Sequence, residues 1–147
     1  MTKNTRTYTW ENPTTLLEEA KKQSGYDLLV GVLNGSLPQA PALETIHSTL
    51  IAVEKGQAVF ELKASAFLYN LIGTVHGGII STVLDTAIGC SLLTTLAAGE
   101  SFTSLDLKVN FLKKSPPTAH YYIPKQLLFT KVEQQPIWNL NSLMQQV

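Results

Sequence analysis

Cysteine is almost absent: Cys90 is the only one in 147 residues. A single thiol builds neither a disulfide framework nor a thiolate metal cluster. Net charge is missing too, because eleven Lys and Arg residues cancel eleven Asp and Glu residues. No basic stripe stands out, so nucleic-acid binding driven by counterion release is not expected. Charged residues of either sign are scarce, 15% against a usual share of roughly 25%, which argues against a solvated or disordered chain. What is present is apolar. Hydrophobic residues make up 44%, enough to bury a sizeable core in one domain spanning residues 1–147. The stretch from Met1 to Trp10 is polar and carries no apolar signal core. With the lone cysteine, this makes a reduced, cytoplasmic compartment the expectation.

The longest apolar run, Ile79 to Ala98, could reach across a bilayer by length alone. It holds one carboxylate, Asp85, together with Ser81, Thr82, Thr86, Ser91, Thr94 and Thr95. A mid-span carboxylate costs about 2.5–3.5 kcal/mol on insertion scales. A helix wrapped by a folded core is the better account, and no membrane partner is expected. Within the run, Ile80, Val83, Leu84, Ala87, Ile88, Leu92 and Leu96 recur at helical spacing, and Ala98-Gly99-Glu100 ends it.

Upstream, Pro13-Thr14-Thr15 starts a helix whose apolar face is Leu16, Leu17 and Ala20. Gly25 interrupts it, and Leu28, Leu29, Val32 and Leu33 mark a second short helix. Asn34-Gly35, Pro38 and Pro41 then read as a loop. Alternation through Thr49, Ile51 and Val53, a turn at Glu54–Gln57 and further alternation from Ala58 to Ala64 predict a β-hairpin. Ser104 to Leu112 alternates again, with Leu105, Leu107, Val109 and Phe111 on one face, and predicts a strand with one buried side. Strands and a long core helix make an α+β domain with the helix packed on an antiparallel sheet.

The stretch richest in chemistry is Asn70-Leu71-Ile72-Gly73-Thr74-Val75-His76-Gly77-Gly78. Gly77 and Gly78 fall at the start of the long helix, where unpaired backbone N–H groups stabilise an anion or a developing oxyanion. Asp85 lies seven residues beyond Gly78, about two turns along and on nearly the same face. A carboxylate near oxyanion donors points to acyl transfer or hydrolysis, with Asp85 as base or nucleophile. Taken singly, each residue has a plainer reading. Asp85 would bond to a neighbouring strand, His76 would be a loop histidine, and Gly77 and Gly78 would be turn glycines. His47 and His120 fit no motif, and Cys90 packs as a small apolar residue. No metal-ligand spacing is present and no cofactor is expected.

Together, Asn-x-x-Gly-x-x-His-Gly-Gly with Asp nine residues after the His resembles the hotdog-fold acyl-CoA thioesterases of the phenylacetic-acid-degradation (PaaI-like) type. The likeness takes in Gly56 to Leu62 and Thr103 to Leu112, and covers roughly residues 31–112. It implies an antiparallel sheet wrapped around the long helix, in homodimers or homotetramers with active sites between subunits. It also implies that Asp85 activates water or attacks the thioester of acyl-CoA. The Gly77 amide, helped by Asn70 and His76, would polarise the carbonyl, and Ser104 would orient the water from a partner subunit. The plain alternative for Ser104 is a solvent-facing hydroxyl. Lys113 and Lys114 are either coenzyme A contacts or a solvated strand end. A non-catalytic hotdog is the rival reading. A hotdog hydratase is less favoured, since its His–acid pairing is missing.

From Lys113 the resemblance stops. The family continues with two strands and a Gly-Arg turn, whereas here His120 to Lys125 leads into Gln-rich sequence. Joining the last base of each codon to the first two of the next changes the picture. His120-Tyr121 and Tyr121-Tyr122 then must give Leu, Trp138-Asn139 Glu and Met144-Gln145 Ala. With favourable codons elsewhere, the shifted peptide restores the family pattern, including Gln-Gly-Arg. Lys113-Lys114 requires an A-rich run, a natural place for a one-base slip. The expectation is a tail replaced by a frameshift, residues 113–147, with altered C-terminal strands. It would supply one substitute strand at about Leu127–Val132 and an irregular end beyond Pro136.

Overall fold

The structure, a computed structural model, describes residues 3–112 and 120–123. Three short helices come first, α1 (Thr14–Ala20), α2 (Gly25–Leu33) and α3 (Pro41–Ile46). The hairpin strands β1 (Ser48–Glu54) and β2 (Gln57–Lys63) follow, then a single 3-10 turn, Ala66–Leu68. The long helix α4 (Gly77–Leu93) and strand β3 (His120–Ile123) complete the order. The three strands pair antiparallel in the order β1-β2-β3, and α4 packs chiefly across β2.

Local chemistry explains most of these elements. Asn12 Oδ1 accepts the Thr14 N–H at 3.0 Å and its hydroxyl at 2.9 Å, which starts α1. Ser24 caps α2 by accepting the Asp27 N–H at 3.2 Å. The loop expected around Pro41 instead contains α3, because proline at a first helical position is pre-set for a helix and loses no needed donor. In the hairpin, Gly56 adopts φ 77°, which lets two residues turn the chain. A bulge between Leu50 and Ala52 shifts the register of β1. The buried side chains are therefore Ser48 and Leu50 before it and half-buried Val53 after it, and Ile51 is turned out.

The core gathers Leu29 of α2, Leu43 and Ile46 of α3, Leu50, Phe60 and Leu62 of the hairpin, and Val83 and Ala87 of α4. Two hydroxyls tie α4 to the hairpin. Thr94 Oγ1 accepts the Gly56 N–H at 2.5 Å. Ser91 Oγ accepts the Ala58 N–H at 3.0 Å while donating to the Ala87 carbonyl at 2.7 Å. Ala58 is fully buried, so no water can replace that acceptor. Ser91→Ala is expected to cost about 1–3 kcal/mol, the penalty for a buried unpaired N–H. A urea midpoint equal to that of the unchanged protein would contradict this.

Two further expectations need correction. Helix α4 ends at Leu93, not near Ala98, because the Thr94 and Thr95 hydroxyls bond back to the Ser91 and Leu92 carbonyls at 2.7 Å and close the last turn. Val83 and Ala87 of α4 are buried in the core with the hairpin, and Gly89 is buried beneath Phe102. The segment Ser104–Leu112 forms no strand: among the described residues no neighbouring strand pairs with it. Without that partner its apolar positions stay open, with Leu105 75% and Phe111 57% exposed. The segment instead lies along α4, Phe102 against Gly89 and Phe111 against Gly77. The expected strand at Leu127–Val132, the irregular end beyond Pro136, and Lys113 and Lys114 lie outside the described residues. Strand β3 falls upstream of that expected position, pairing Lys63 with His120 and Phe60 with Ile123.

Candidate active site

Residues 69–76 form a closed finger ahead of α4. A bridge between Tyr69 and Val75 pins its base, and the His76 N–H donates to the Leu68 carbonyl at 2.8 Å. Asn70 is its hub. Its Oδ1 accepts the N–H groups of Ile72 at 3.1 Å and Thr74 at 3.2 Å, and its Nδ2 donates to Thr74 Oγ1 at 3.0 Å. Gly73 turns the tip with φ 75°. The Asn70 amide is thus largely spent on the loop's own shape, which leaves its second Nδ2 proton as its means of touching a ligand. Leu71 and Ile72 project into solvent. An open hollow of about 550 Å³ lies among Tyr69, Asn70, Leu71, Ile72 and His76.

His76 caps α4. Its Nδ1 accepts the Gly78 N–H at 3.0 Å, and its carbonyl accepts the N–H groups of Ile79 at 3.0 Å and Ile80 at 3.3 Å. The Nδ1 bond assigns the ring proton of the neutral imidazole to Nε2, which becomes a donor. Gly77 alone at this terminus keeps its N–H without an acceptor among the described residues. The missing side chain matters here. A Cβ on Gly77 would stand 3.0 Å from the Phe111 ring, and one on Gly78 would stand 3.2 Å from His76 Nδ1.

Asp85 sits further along α4, half-buried. Ser104 donates its hydroxyl to Asp85 Oδ1 at 2.7 Å. The two expected site residues are therefore joined within one chain. The helix hydroxyls are otherwise engaged: Ser81 donates to the Gly77 carbonyl, Thr82 to that of Gly78 and Thr86 to that of Thr82, each at 2.9 Å. Asp85 is eight residues beyond Gly77, a rise of about 12 Å. One carbonyl cannot touch both ends of that distance.

The five expected residues thus form two groups: the finger with its free amide (Asn70, His76, Gly77), and the carboxylate pair (Asp85, Ser104). The aromatic cover, Phe111 on Gly77 and Phe102 on Gly89, escaped the sequence reading. Its only signal was a glycine in the helix matched by an aromatic residue downstream. His47 stays outside both groups, closing α3 with φ 58° and facing the Phe67 ring at 6.2 Å. No helix among the described residues is long and apolar enough to cross a membrane.

Comparison with known proteins adds a family and a fold. A family profile described as a domain of unknown function (DUF4442) matches residues 32–127. Human acyl-coenzyme A thioesterase 13 is 30% identical over 92 residues, 58% of this chain and 65% of that protein. The chain therefore spans just under two thirds of that curated relative. Among solved structures, a phenylacetic acid degradation-related protein of Ralstonia eutropha superposes with a TM-score of 0.55 at 25% identity, covering 60% of this chain and 69% of that one. The E. coli PaaI protein, from the phenylacetic acid degradation operon, gives 0.50 at 18% identity, covering 56% and 57%. The architecture is the hotdog fold, an α+β arrangement of antiparallel sheet and long helix.

Proposed function

The chain belongs to the DUF4442 family, and from its similarity to acyl-coenzyme A thioesterase 13 and to the Ralstonia eutropha structure we propose that it hydrolyses acyl-CoA thioesters to a free acid and coenzyme A. The observation that carries the reading is the unspent Gly77 amide at the start of a long helix, next to a histidine whose ring proton stands on Nε2. Two such donors are suited to the oxygen of a thioester carbonyl, whose charge grows as the tetrahedral intermediate forms. Asp85 takes a proton from water as the water oxygen bonds to the carbonyl carbon, and Ser104 holds the carboxylate in place. The carbon–sulfur bond then breaks and the proton passes from Asp85 to the departing thiolate. As a nucleophile, Asp85 would instead bond to the carbonyl carbon, and the carbon–sulfur bond would break to release coenzyme A thiolate. Water would then cleave the resulting mixed anhydride to the free acid and regenerate the Asp85 carboxylate. Asn70 keeps the finger in shape and lends its remaining N–H. The reaction would run in a reduced, cytoplasmic setting.

Because about 12 Å of helix separates Gly77 from Asp85, the working site needs two copies of the chain. One supplies the finger and the other supplies Asp85 and Ser104. A C2 pair makes two such sites, each with halves from different protomers. Mixing experiments test this. His76→Ala and Asp85→Asn proteins, each nearly inactive alone, should regain about a quarter of full activity after joint refolding, since half the dimers are mixed and carry one intact site. Activity no higher than that of the two variants measured separately would mean that both groups act within one chain.

A further inference from the structure

We propose that the aliphatic tail of the acyl group lies in a second hollow, beneath α1, and that this hollow sets the preference for longer over short acyl chains. The proposal rests on the thioester reading above. The hollow measures about 280 Å³, with Leu16 and Leu17 of α1, Leu29 and Val32 of α2 and Cys90 of α4 in its wall. That exceeds the roughly 150 Å³ apolar cavity known to admit benzene. Its polar wall groups are nearly all engaged. Thr86 bonds to Thr82 at 2.9 Å, the Gln39 amide to Glu44 at 2.7 Å, and Glu100 accepts the Ala97 N–H at 2.7 Å. Burial pushes the Cys90 thiol up to about 12, so it stays protonated.

One wall atom is different. Ser101 Oγ is buried with no hydrogen-bond partner, the only such side-chain atom among the described residues. A buried hydroxyl left unpaired is costly, and a ligand with a polar head and an apolar body would satisfy it. Its location orients that ligand. Ser101 and Phe102 lead directly into Ser104, and Thr86 follows Asp85 on α4, so the head end lies toward the carboxylate pair and the body toward α1. Helix α1 also lacks cover: none of its residues is buried, and Leu17, which lines the hollow, is 64% exposed. A helix of this length is not stable by itself, and an aliphatic chain beneath it would supply the missing apolar contact.

Two measurements test the hollow separately from the chemistry. In Asp85→Asn protein, decanoate should slow alkylation of Cys90 by iodoacetamide in mild alkali at least about fivefold, and acetate should not. Ala20→Phe, which fills the hollow from α1, should remove that protection. In the active protein it should lower the ratio of kcat/KM for decanoyl-CoA to that for acetyl-CoA by about tenfold or more. Leu17→Trp serves as a second filling variant should Ala20→Phe fold poorly. Protection without any hydrolysis by the active chain would uphold the hollow as an aliphatic site and overturn the thioester reading. Hydrolysis with neither decanoate protection nor a changed chain-length ratio would overturn the hollow and leave the thioester reading standing.

Discussion

Asp85→Asn is expected to lower kcat for acyl-CoA hydrolysis by about 10²–10⁴-fold, the span usually lost with a general base. Asparagine keeps the size of aspartate, and its Oδ1 can still accept the Ser104 hydroxyl that now lies 2.7 Å from the carboxylate. The side chain is half-buried on the open flank of α4, so folding stability should shift by no more than about 0.5 kcal/mol. KM should change little, because the substrate's remote parts meet other residues. A large rate loss with nearly unchanged stability separates chemistry from packing. Hydrolysis unchanged in the variant would reject Asp85 as base or nucleophile. Absence of hydrolysis by the unaltered chain across short, medium, long and aromatic acyl-CoAs would favour a non-catalytic hotdog unit.

Gly25→Ala carries the largest expected stability loss. Gly25 opens α2 where that helix meets the end of α4. A Cβ there would stand 2.0 Å from the Leu93 carbonyl oxygen and 2.7 Å from its carbon. The obstacle is backbone, so no rotamer change relieves it. The Gly25 N–H also donates to the Leu96 carbonyl at 3.1 Å, and any separation of the helices stretches that bond. Alanine would gain about 1 kcal/mol from helix propensity. Overpacking costs about 1–3 kcal/mol and occasionally more, and a lost hydrogen bond adds about 1 kcal/mol. With a backbone clash this close, the upper end applies, and the net loss should be about 3 kcal/mol. Against a total stability of about 5–15 kcal/mol that is large. The urea midpoint should fall with the slope m unchanged. A midpoint equal to or above that of the unaltered chain would mean that α2 and α4 do not approach at Gly25.

The sequence by itself determined the elements whose signals are local. Helix periodicity from Ile80 through Ala87, the Gly77-Gly78 start, the hairpin turn at Gly56 and the short helix carrying Leu28, Leu29, Val32 and Leu33 depend on neighbours within a few residues. The spacing of Gly77 and Asp85 belongs here too, because eight residues of helix impose their separation whatever surrounds them. Tertiary structure decided what depends on distant partners. Ser104–Leu112 has the alternation of a strand, yet a strand exists only when another pairs with it, and none does among the described residues. The bulge in β1 chose Leu50 over Ile51 for the core, since one extra residue reverses which side faces inward. Gly25 marks the break between two helices and is also a contact point, which the sequence could not show because the Leu93 carbonyl it meets is 68 positions away in the chain. Nor could periodicity foresee that Asn70 would spend its amide on its own loop, or that Ser104 would reach Asp85 in the same chain. Those bonds form only after the finger closes and the segment following α4 folds back along it.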